Sequence, residues 1–333
     1  MKSIQIKQPG GLDNLQVVDI DAPQPGAGEV AVRWHASSLN FHDYLVANGS
    51  IPVADGQIPM SDGAGEIAAV GAGVSNWQEG DKVMSLFFPN WLAGTPSFAA
   101  TKTISGETAP GFATEMSCVN AQSLTRMPNG YSYAEAATLP CAALTAWRAL
   151  VVEGNLKTGD RVLTEGSGGM SIFGLQIAKA AGAYVYATTS SDEKAQRLLA
   201  LGADHVLNYR EDERWGKTVF KHSGGGVEHV LDVGGGTTLA QSVEAVGFGG
   251  NVTLIGILGG RKGEFVLPKL FFKHATMTGI AVANRTAQEE MVRALEISDY
   301  KPVIDKSFAL EDIADAFRYQ ESGQHFGKIV LEY

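Results

Sequence analysis

Apolar and polar positions in the first third of the chain alternate with a period of two or run apolar in short stretches. IQIKQ (4–8), LQVVDID (15–21), EVAVRWHASSL (29–39), GEIAAVGAGV (65–74) and DKVMSLF (81–87) read as strands, separated by turns such as Pro23-Gln24-Pro25-Gly26. Residues 88–113 break the pattern and read as one long loop, a length that is often functional. Beyond residue 160 the period changes. RVLTEG (161–166), AYVYATT (183–189), HVLNY (205–209), VEHVLDVGG (227–235) and GNVTLIGIL (250–258) are strand-like. Between them lie helical stretches at 171–182, 192–202, 214–222 and 237–246, the first with apolar residues at Ile172, Leu175, Ala178 and Ala181. This βαβαβ rhythm predicts an α/β domain with a parallel sheet covered on both faces. A strand MTGIAVA (277–283), helices near 286–298 and 311–321, and a last strand KIVLEY follow, which we read as a return to the first domain.

Composition narrows the picture. A chain of 333 residues suits two domains, and 44% apolar with 19% charged residues is ordinary for a globular protein. The net charge of −10, without a Lys/Arg-rich run, argues against nucleic-acid binding. Two cysteines, Cys118 and Cys141, are too few for a disulfide framework or a Cys-rich zinc site. MKSIQIKQPG lacks the apolar core of a signal peptide, and no apolar run reaches membrane-spanning length. The expectation is a cytoplasmic protein with no nucleic-acid or membrane partner.

The turn Gly166-Ser167-Gly168-Gly169-Met170-Ser171 carries the strongest chemical signal. It follows a strand, opens a helix and matches G-x-G-x-x-G except at Ser171. In such turns glycine permits the tight bend and brings backbone N–H groups to a pyrophosphate at a helix N-terminus. Ser171 at the third position is expected to lose some helix packing and to offer a hydroxyl to phosphate. An acid at the end of the second strand would hold the ribose of NAD, but none lies between Tyr184 and Ser191. Thr188–Ser191, with Ser190 among them, then Lys194 and Tyr209, suit a 2′-phosphate instead, which predicts NADPH.

SLNFHD (38–43), DGAGEIAAVG (62–71), GDKV (80–83), ATLPCAALTAWRAL (137–150), LGADHVLNY (201–209), HFGKIVLEY (325–333) and the glycine turn together resemble the medium-chain dehydrogenase/reductase superfamily over the whole chain. The likeness is greatest to its zinc-free branch of quinone oxidoreductases, zeta-crystallin-like proteins and enone reductases. The resemblance implies a GroES-like β-rich catalytic domain at 1–122 and 276–333 and a Rossmann domain at 123–275. It also implies an active site in the cleft between them and a homodimer. By resemblance, Gly234, Ile255 and Gly256 line the adenosine and nicotinamide ribose, Ala281 and Val282 meet the nicotinamide amide, and Lys328 lies near the phosphate. The same resemblance implies that Asn40 and Asp43 stand beside nicotinamide and substrate and that Thr145 contacts the nicotinamide side.

Where zinc-dependent relatives carry a cysteine and a His-Glu pair, alignment of these motifs puts Asn40 and Ser61-Asp62; Cys141 alone keeps a ligand type. One thiolate does not build a three-ligand site, so the expectation is no zinc. Without a metal to polarise a ketone, acceptors with their own electron sink are favoured: α,β-unsaturated carbonyls, which leave an enolate, or quinones, which leave a hydroquinone. Asn40 could orient a carbonyl or the ribose, Asp43 its neighbours, and Tyr44 could donate a proton. His42 is either a satisfied histidine or a catalytic one, and Phe87–Leu92 either a lid or a small satellite core. The expected activity is NADPH-dependent hydride transfer to a quinone or enone. The alternatives are a zinc-free alcohol/aldehyde dehydrogenase, or a non-catalytic NADPH-binding structural or sensor protein.

Overall fold

The computed structural model describes residues 1–298 and 300–333. The chain forms two compact units, Met1–Leu144 with Val282–Tyr333, and Thr145–Ala281. The first opens with β1 (Lys2–Ile6), β2 (Leu15–Asp19), β3 (Glu29–Ser38), β4 (Ala64–Val70), β5 (Lys82–Ser85), β6 (Met116–Asn120) and β7 (Leu124–Arg126). The second contributes β8 (Arg161–Glu165), β9 (Tyr184–Thr189), β10 (His205–Asn208), β11 (Val227–Asp232), β12 (Val246–Leu254) and β13 (Thr276–Gly279). The chain then returns to the first unit with β14 (Ile304–Ala309) and β15 (Lys328–Glu332).

In the first unit, β1 and β2 form an antiparallel ribbon, and the larger sheet runs β14-β15-β3-β4-β5-β7 with β6 also on β3. β3 sits at its centre, and Val30, Val32, Trp34 and Ala36, at alternate positions of EVAVRWHASS, are all buried while Arg33 between them is exposed. Trp34 packs against Phe112 with ring centroids 4.6 Å apart. A second core joins Leu39, Met60, Phe317, Ile329 and Leu331, so both ends of the chain share it.

The six strands of the second unit are all parallel and run β10-β9-β8-β11-β12-β13, the doubly wound Rossmann order in which the strand order reverses beside β8. Val162, Leu163, Val185, Val230 and Val252 give it an apolar interior.

Strand pairing moves both expected domain boundaries. β7 pairs antiparallel with β5, so residues 123–144 fold with the first unit rather than starting the second. β13 pairs parallel with β12, so residues 276–281 close the second sheet rather than rejoining the first. The strand expected at 277–283 ends at Gly279. The loop 88–113 contains the short helix Phe98–Thr101, and no helix among the described residues is long and apolar enough to cross a membrane.

Candidate functional site

The glycine turn lies between β8 and the helix Gly169–Ala180. Gly166 has φ of 77°, a left-handed conformation that glycine adopts without strain, and its N–H bonds Thr188 O at 2.9 Å. A methyl group built on Gly166 or Gly168 would meet no atom within 4 Å, so the outer face of the turn is open. Unpaired N–H groups of the first helical turn add positive potential there. The turn therefore fits the diphosphate of a dinucleotide.

Ser171 does not take the expected part. Its side chain is buried and its hydroxyl donates to Glu165 O at 2.6 Å, so that hydrogen is already committed within the protein. Close helix–sheet packing comes one turn later: a Cβ on Gly174 would stand 2.6 Å from Leu231 Cδ1. The hydroxyl run is also thinned by folding. Thr188 and Thr189 are buried, and Ser191 caps the helix Asp192–Ala200 by accepting from Lys194 N–H. Ser190 remains half-buried at the end of β9 with Lys194 one turn on. Tyr209 is 42% exposed at the end of the adjacent β10, its N–H bonded to Thr189 O. Parallel pairing of β9 and β10 thus brings Ser190 and Tyr209 to the same end of neighbouring strands, with Lys194 in the first turn of the helix that follows β9.

Gly234, Ile255 and Gly256 are likewise neighbours, because the Ile255 and Gly256 N–H groups bond Asp232 O at 2.9 and 3.2 Å. Ala281 is exposed. Val282 beside it is buried with φ of 44°, a strained conformation for a β-branched residue. Thr145 is buried in the helical turn Leu144–Trp147, flanked by π-helical stretches Leu139–Ala143 and Arg148–Val152. Such widened turns concentrate at functional sites.

In the first unit, Asn40 caps the helix Phe41–Ala47, and Asp43 completes the capping box. Both Asp43 oxygens are engaged: Oδ2 accepts from Asn40 N–H at 3.0 Å and Oδ1 from Ser61 N–H at 2.8 Å. Asp43 therefore positions the Asn40 and Ser61 backbones. Asn40 Nδ2 donates to Ser61 Oγ at 3.2 Å and Asp62 Oδ2 at 2.8 Å, which occupies both amide hydrogens. In this arrangement Asn40 has no amide hydrogen left for a substrate carbonyl. Tyr44 departs from its expected direction. Its ring packs toward Phe317 and its hydroxyl donates to Glu321 Oε1 at 2.6 Å, on the far helix rather than among the Asn40 contacts.

Lys328 is the largest displacement from expectation. It is 3% exposed, and its Nζ donates to Leu39 O and Asn40 Oδ1, both at 2.6 Å, with Asp62 Oδ2 3.9 Å away. The ammonium is committed inside the first unit, so the expected phosphate contact is replaced by a buried ion network. Ser38 Oγ also donates to Asp62 Oδ2, at 2.7 Å. Burial pushes the Asp62 carboxyl up to about 6, against the opposing pull of Lys328, while Asp43 adds to the rise. Burial also raises the Cys141 thiol well above its usual range, with Asp62 and Asp43 adding to it.

This cluster offers a divalent metal little. It presents a carboxylate, an amide, a hydroxyl and a thiol held in its neutral form, around a resident ammonium that would repel a second cation. These residues do not fit zinc. Among the described residues, no group of three or more His, Cys, Asp and Glu is placed to hold a metal ion.

Two features that the sequence left open take shape in the fold. His42 Nε2 lies 2.7 Å from Glu107 Oε2 and Nδ1 3.6 Å from Asp43 Oδ1. Burial opposes its charge, but the two carboxylates outweigh burial and raise its pKa. Glu107 stands in the long loop, so spacing gave no hint of the pair. Phe87, Phe88 and Trp91 are buried and pack edge to face, Phe87–Phe88 at 4.8 Å and Phe88–Trp91 at 6.0 Å. The loop aromatics form a satellite core.

Residues 26–129 match the model of the alcohol dehydrogenase GroES-like domain, and residues 169–297 that of the zinc-binding dehydrogenase. The chain is 38% identical over 332 residues, 97% of this chain and 96% of the other, to a zinc-type alcohol dehydrogenase-like protein of Schizosaccharomyces pombe. It is 27% identical to an acryloyl-coenzyme A reductase of Sulfurisphaera tokodaii, with both chains fully covered. Among solved structures, an alcohol dehydrogenase of Sinorhizobium meliloti 1021, provisionally so named, superposes with a TM-score of 0.93 and 38% identity, covering 100% of this chain and 99% of the other.

Proposed function

The chain belongs to the medium-chain dehydrogenase/reductase superfamily of NAD(P)-dependent oxidoreductases, and from that premise we propose that it reduces α,β-unsaturated carbonyls or quinones with NADPH and without zinc. The observation that carries this reading is the buried Asn40–Ser61–Asp62–Lys328 network. A protonated amine, already paired, stands among residues that would have to serve as ligands. Binding a dication there would set it against Lys328 and require an amide, a hydroxyl and a neutral thiol to replace strong ligands.

The cofactor supplies hydride. The open glycine turn, Gly166, Gly168, Gly169 and Met170, receives the diphosphate on backbone N–H groups at the helix N-terminus. Ser190, Lys194 and Tyr209 hold the 2′-phosphate. Gly234, Ile255 and Gly256 shape the ribose side, and Ala281 and Val282 the nicotinamide side. Thr145 offers a hydroxyl beside it. Asn40 and Asp43 serve as positioning residues, fixing the start of the helix Phe41–Ala47. With no metal to polarise a simple ketone, the productive acceptor delocalises its own charge. The relative named acryloyl-coenzyme A reductase fits that class.

One observation favours a second reading, a zinc-free alcohol or aldehyde dehydrogenase. His42, held between Glu107 and Asp43 with its pKa raised, is a protein acid of the kind ketone reduction needs.

The test is cofactor oxidation by metal-stripped protein with a quinone, an enone and the matching saturated ketone, each with NADPH and NADH. Turnover of quinone or enone but not ketone, with NADPH preferred, is expected. Turnover of the ketone would replace this reading with the second, and activity restored only by added zinc would overturn the zinc-free assignment.

A further inference from the structure

At the C-terminal ends of β8 and β11, two acids lie side by side in the interior of the second unit. The pairing of Leu231 with Thr164 sets the next residues, Asp232 and Glu165, on adjacent strands. Asp232 is 0% and Glu165 3% exposed. Ser242, also buried, stands between them, its Oγ 2.6 Å from Glu165 Oε1 and 2.8 Å from Asp232 Oδ2. Among the described residues, no cation lies within ion-pair distance of either carboxyl group.

A serine hydroxyl has one hydrogen. It satisfies one of these two short contacts, and the other needs a hydrogen from the carboxyl side. Two ionised carboxylates against one hydroxyl would leave an oxygen–oxygen contact of 2.6–2.8 Å without a proton, in a site that excludes water. Which acid holds the proton follows from the remaining contacts. Asp232 Oδ1 accepts from Gly235 N–H and Thr238 Oγ1, each at 2.7 Å, as a carboxylate does. Glu165 Oε2 is buried without a partner, which an ionised oxygen would not tolerate.

We propose that Glu165 is a neutral carboxylic acid in the working protein, and that its proton ties the first glycine turn to the second and so positions both for the dinucleotide. The chain of donation runs from the Glu165 carboxyl to Ser242 Oγ, from Ser242 to Asp232, and onto Asp232 from Gly235 N–H. Glu165 directly precedes Gly166, and its main-chain carbonyl also receives the Ser171 hydroxyl. Gly235 follows Gly234 in the other turn. Glu165 thus acts through the turns without touching the cofactor, and the proposal rests on the dinucleotide reading above. Removing the proton leaves two adjacent buried negative charges, and the turns they anchor must part or take in water. Independently of the hydrogen count, burial and then the Asp232 charge push the Glu165 carboxyl up to about 8, against a smaller opposing pull from the nearby polar groups of Ser242, Thr238 and Gly234.

The test is NADPH binding, followed by its fluorescence, between pH 6.5 and 9.5 for the wild type, Glu165→Gln and Asp232→Asn. Glutamine keeps the donor but cannot ionise. The wild-type dissociation constant is expected to rise toward about tenfold per pH unit above its midpoint, as the competent form is depleted. Glu165→Gln is expected to hold the low-pH affinity throughout, and Asp232→Asn, which removes the facing charge, to shift the pH dependence. Identical pH profiles for wild type and Glu165→Gln, or a tenfold weaker Glu165→Gln at pH 6.5, would overturn the proposal.

Thermal unfolding of the cofactor-free protein separates this from failure of the functional reading. The wild-type midpoint is expected to fall between pH 5 and 8 by more than that of Glu165→Gln, whether or not NADPH binds. Equal slopes would remove the buried proton itself. If Glu165→Gln fails to fold, Ser242→Ala supplies the same comparison, since loss of the bridging hydroxyl is expected to alter the pH dependence of wild-type unfolding.

Discussion

Replacing Lys328 with methionine keeps the apolar stem and removes the ammonium, so it isolates what the buried charge does. Three interactions are lost: hydrogen bonds to Leu39 O and Asn40 Oδ1, both at 2.6 Å, and the ion pair with Asp62 at 3.9 Å. Breaking a buried pair from one side costs about 3–5 kcal/mol, because the other charge is left uncompensated. Relief of the desolvation of Lys328 offsets part of this, so we expect about 3 kcal/mol at pH 7. The sign of the pH dependence follows from Asp62. Its pKa, pushed up to about 6 from its unfolded 3.8, makes its burial destabilising as pH rises through that window. Without Lys328 the folded value climbs further, so the destabilising window extends above pH 6. The stability difference between wild type and Lys328→Met should therefore be smaller at pH 5, where Asp62 is already protonated, than at pH 7. Urea denaturation at both pH values measures it, and Lys328→Met/Asp62→Asn should recover about 1–2 kcal/mol relative to Lys328→Met. A loss below about 1 kcal/mol at pH 7, or the same loss at both pH values, would refute the argument. A Lys328→Met protein of unchanged stability that binds NADPH tenfold more weakly would return the ammonium to the phosphate.

Other outcomes are accessible with the same protein. Lys194→Ala is expected to weaken NADPH binding by about 10- to 100-fold, the worth of a hydrogen bond to a charged group, and NADH binding far less; equal losses would remove the 2′-phosphate assignment. Ser171→Ala should leave the NADPH dissociation constant within about twofold while costing about 1 kcal/mol of stability, since its hydroxyl bonds Glu165 O rather than phosphate. His42, with its folded pKa raised above 6.5, contributes stability that is complete below pH 6.5 and lost as pH rises through the folded value. An NMR titration of His42 in wild type and Glu107→Gln should show that value falling in the variant, and no change would remove the Glu107 contact.

Local pattern carried much of this protein by itself. Alternation in 29–39 and apolar runs at 161–166, 183–189 and 227–235 reflect side chains that face a core from a strand, a property of each segment alone. The glycine turn was legible for the same reason, because a left-handed bend at Gly166 and an open backbone at Gly168 are written in those residues. What required the tertiary structure was every relation between distant segments. Pairing of β7 with β5 and of β13 with β12 set the domain limits, which no local period encodes. The sequence shows that Ser171, Tyr44 and Lys328 carry donors. Only the fold shows that Glu165 O, Glu321 and the Leu39–Asn40 pair had already taken them. The Glu165–Ser242–Asp232 chain is the extreme case. Each residue is unremarkable in its own segment, and its protonation is a consequence of burial beside a like charge, which exists only once the strands are side by side.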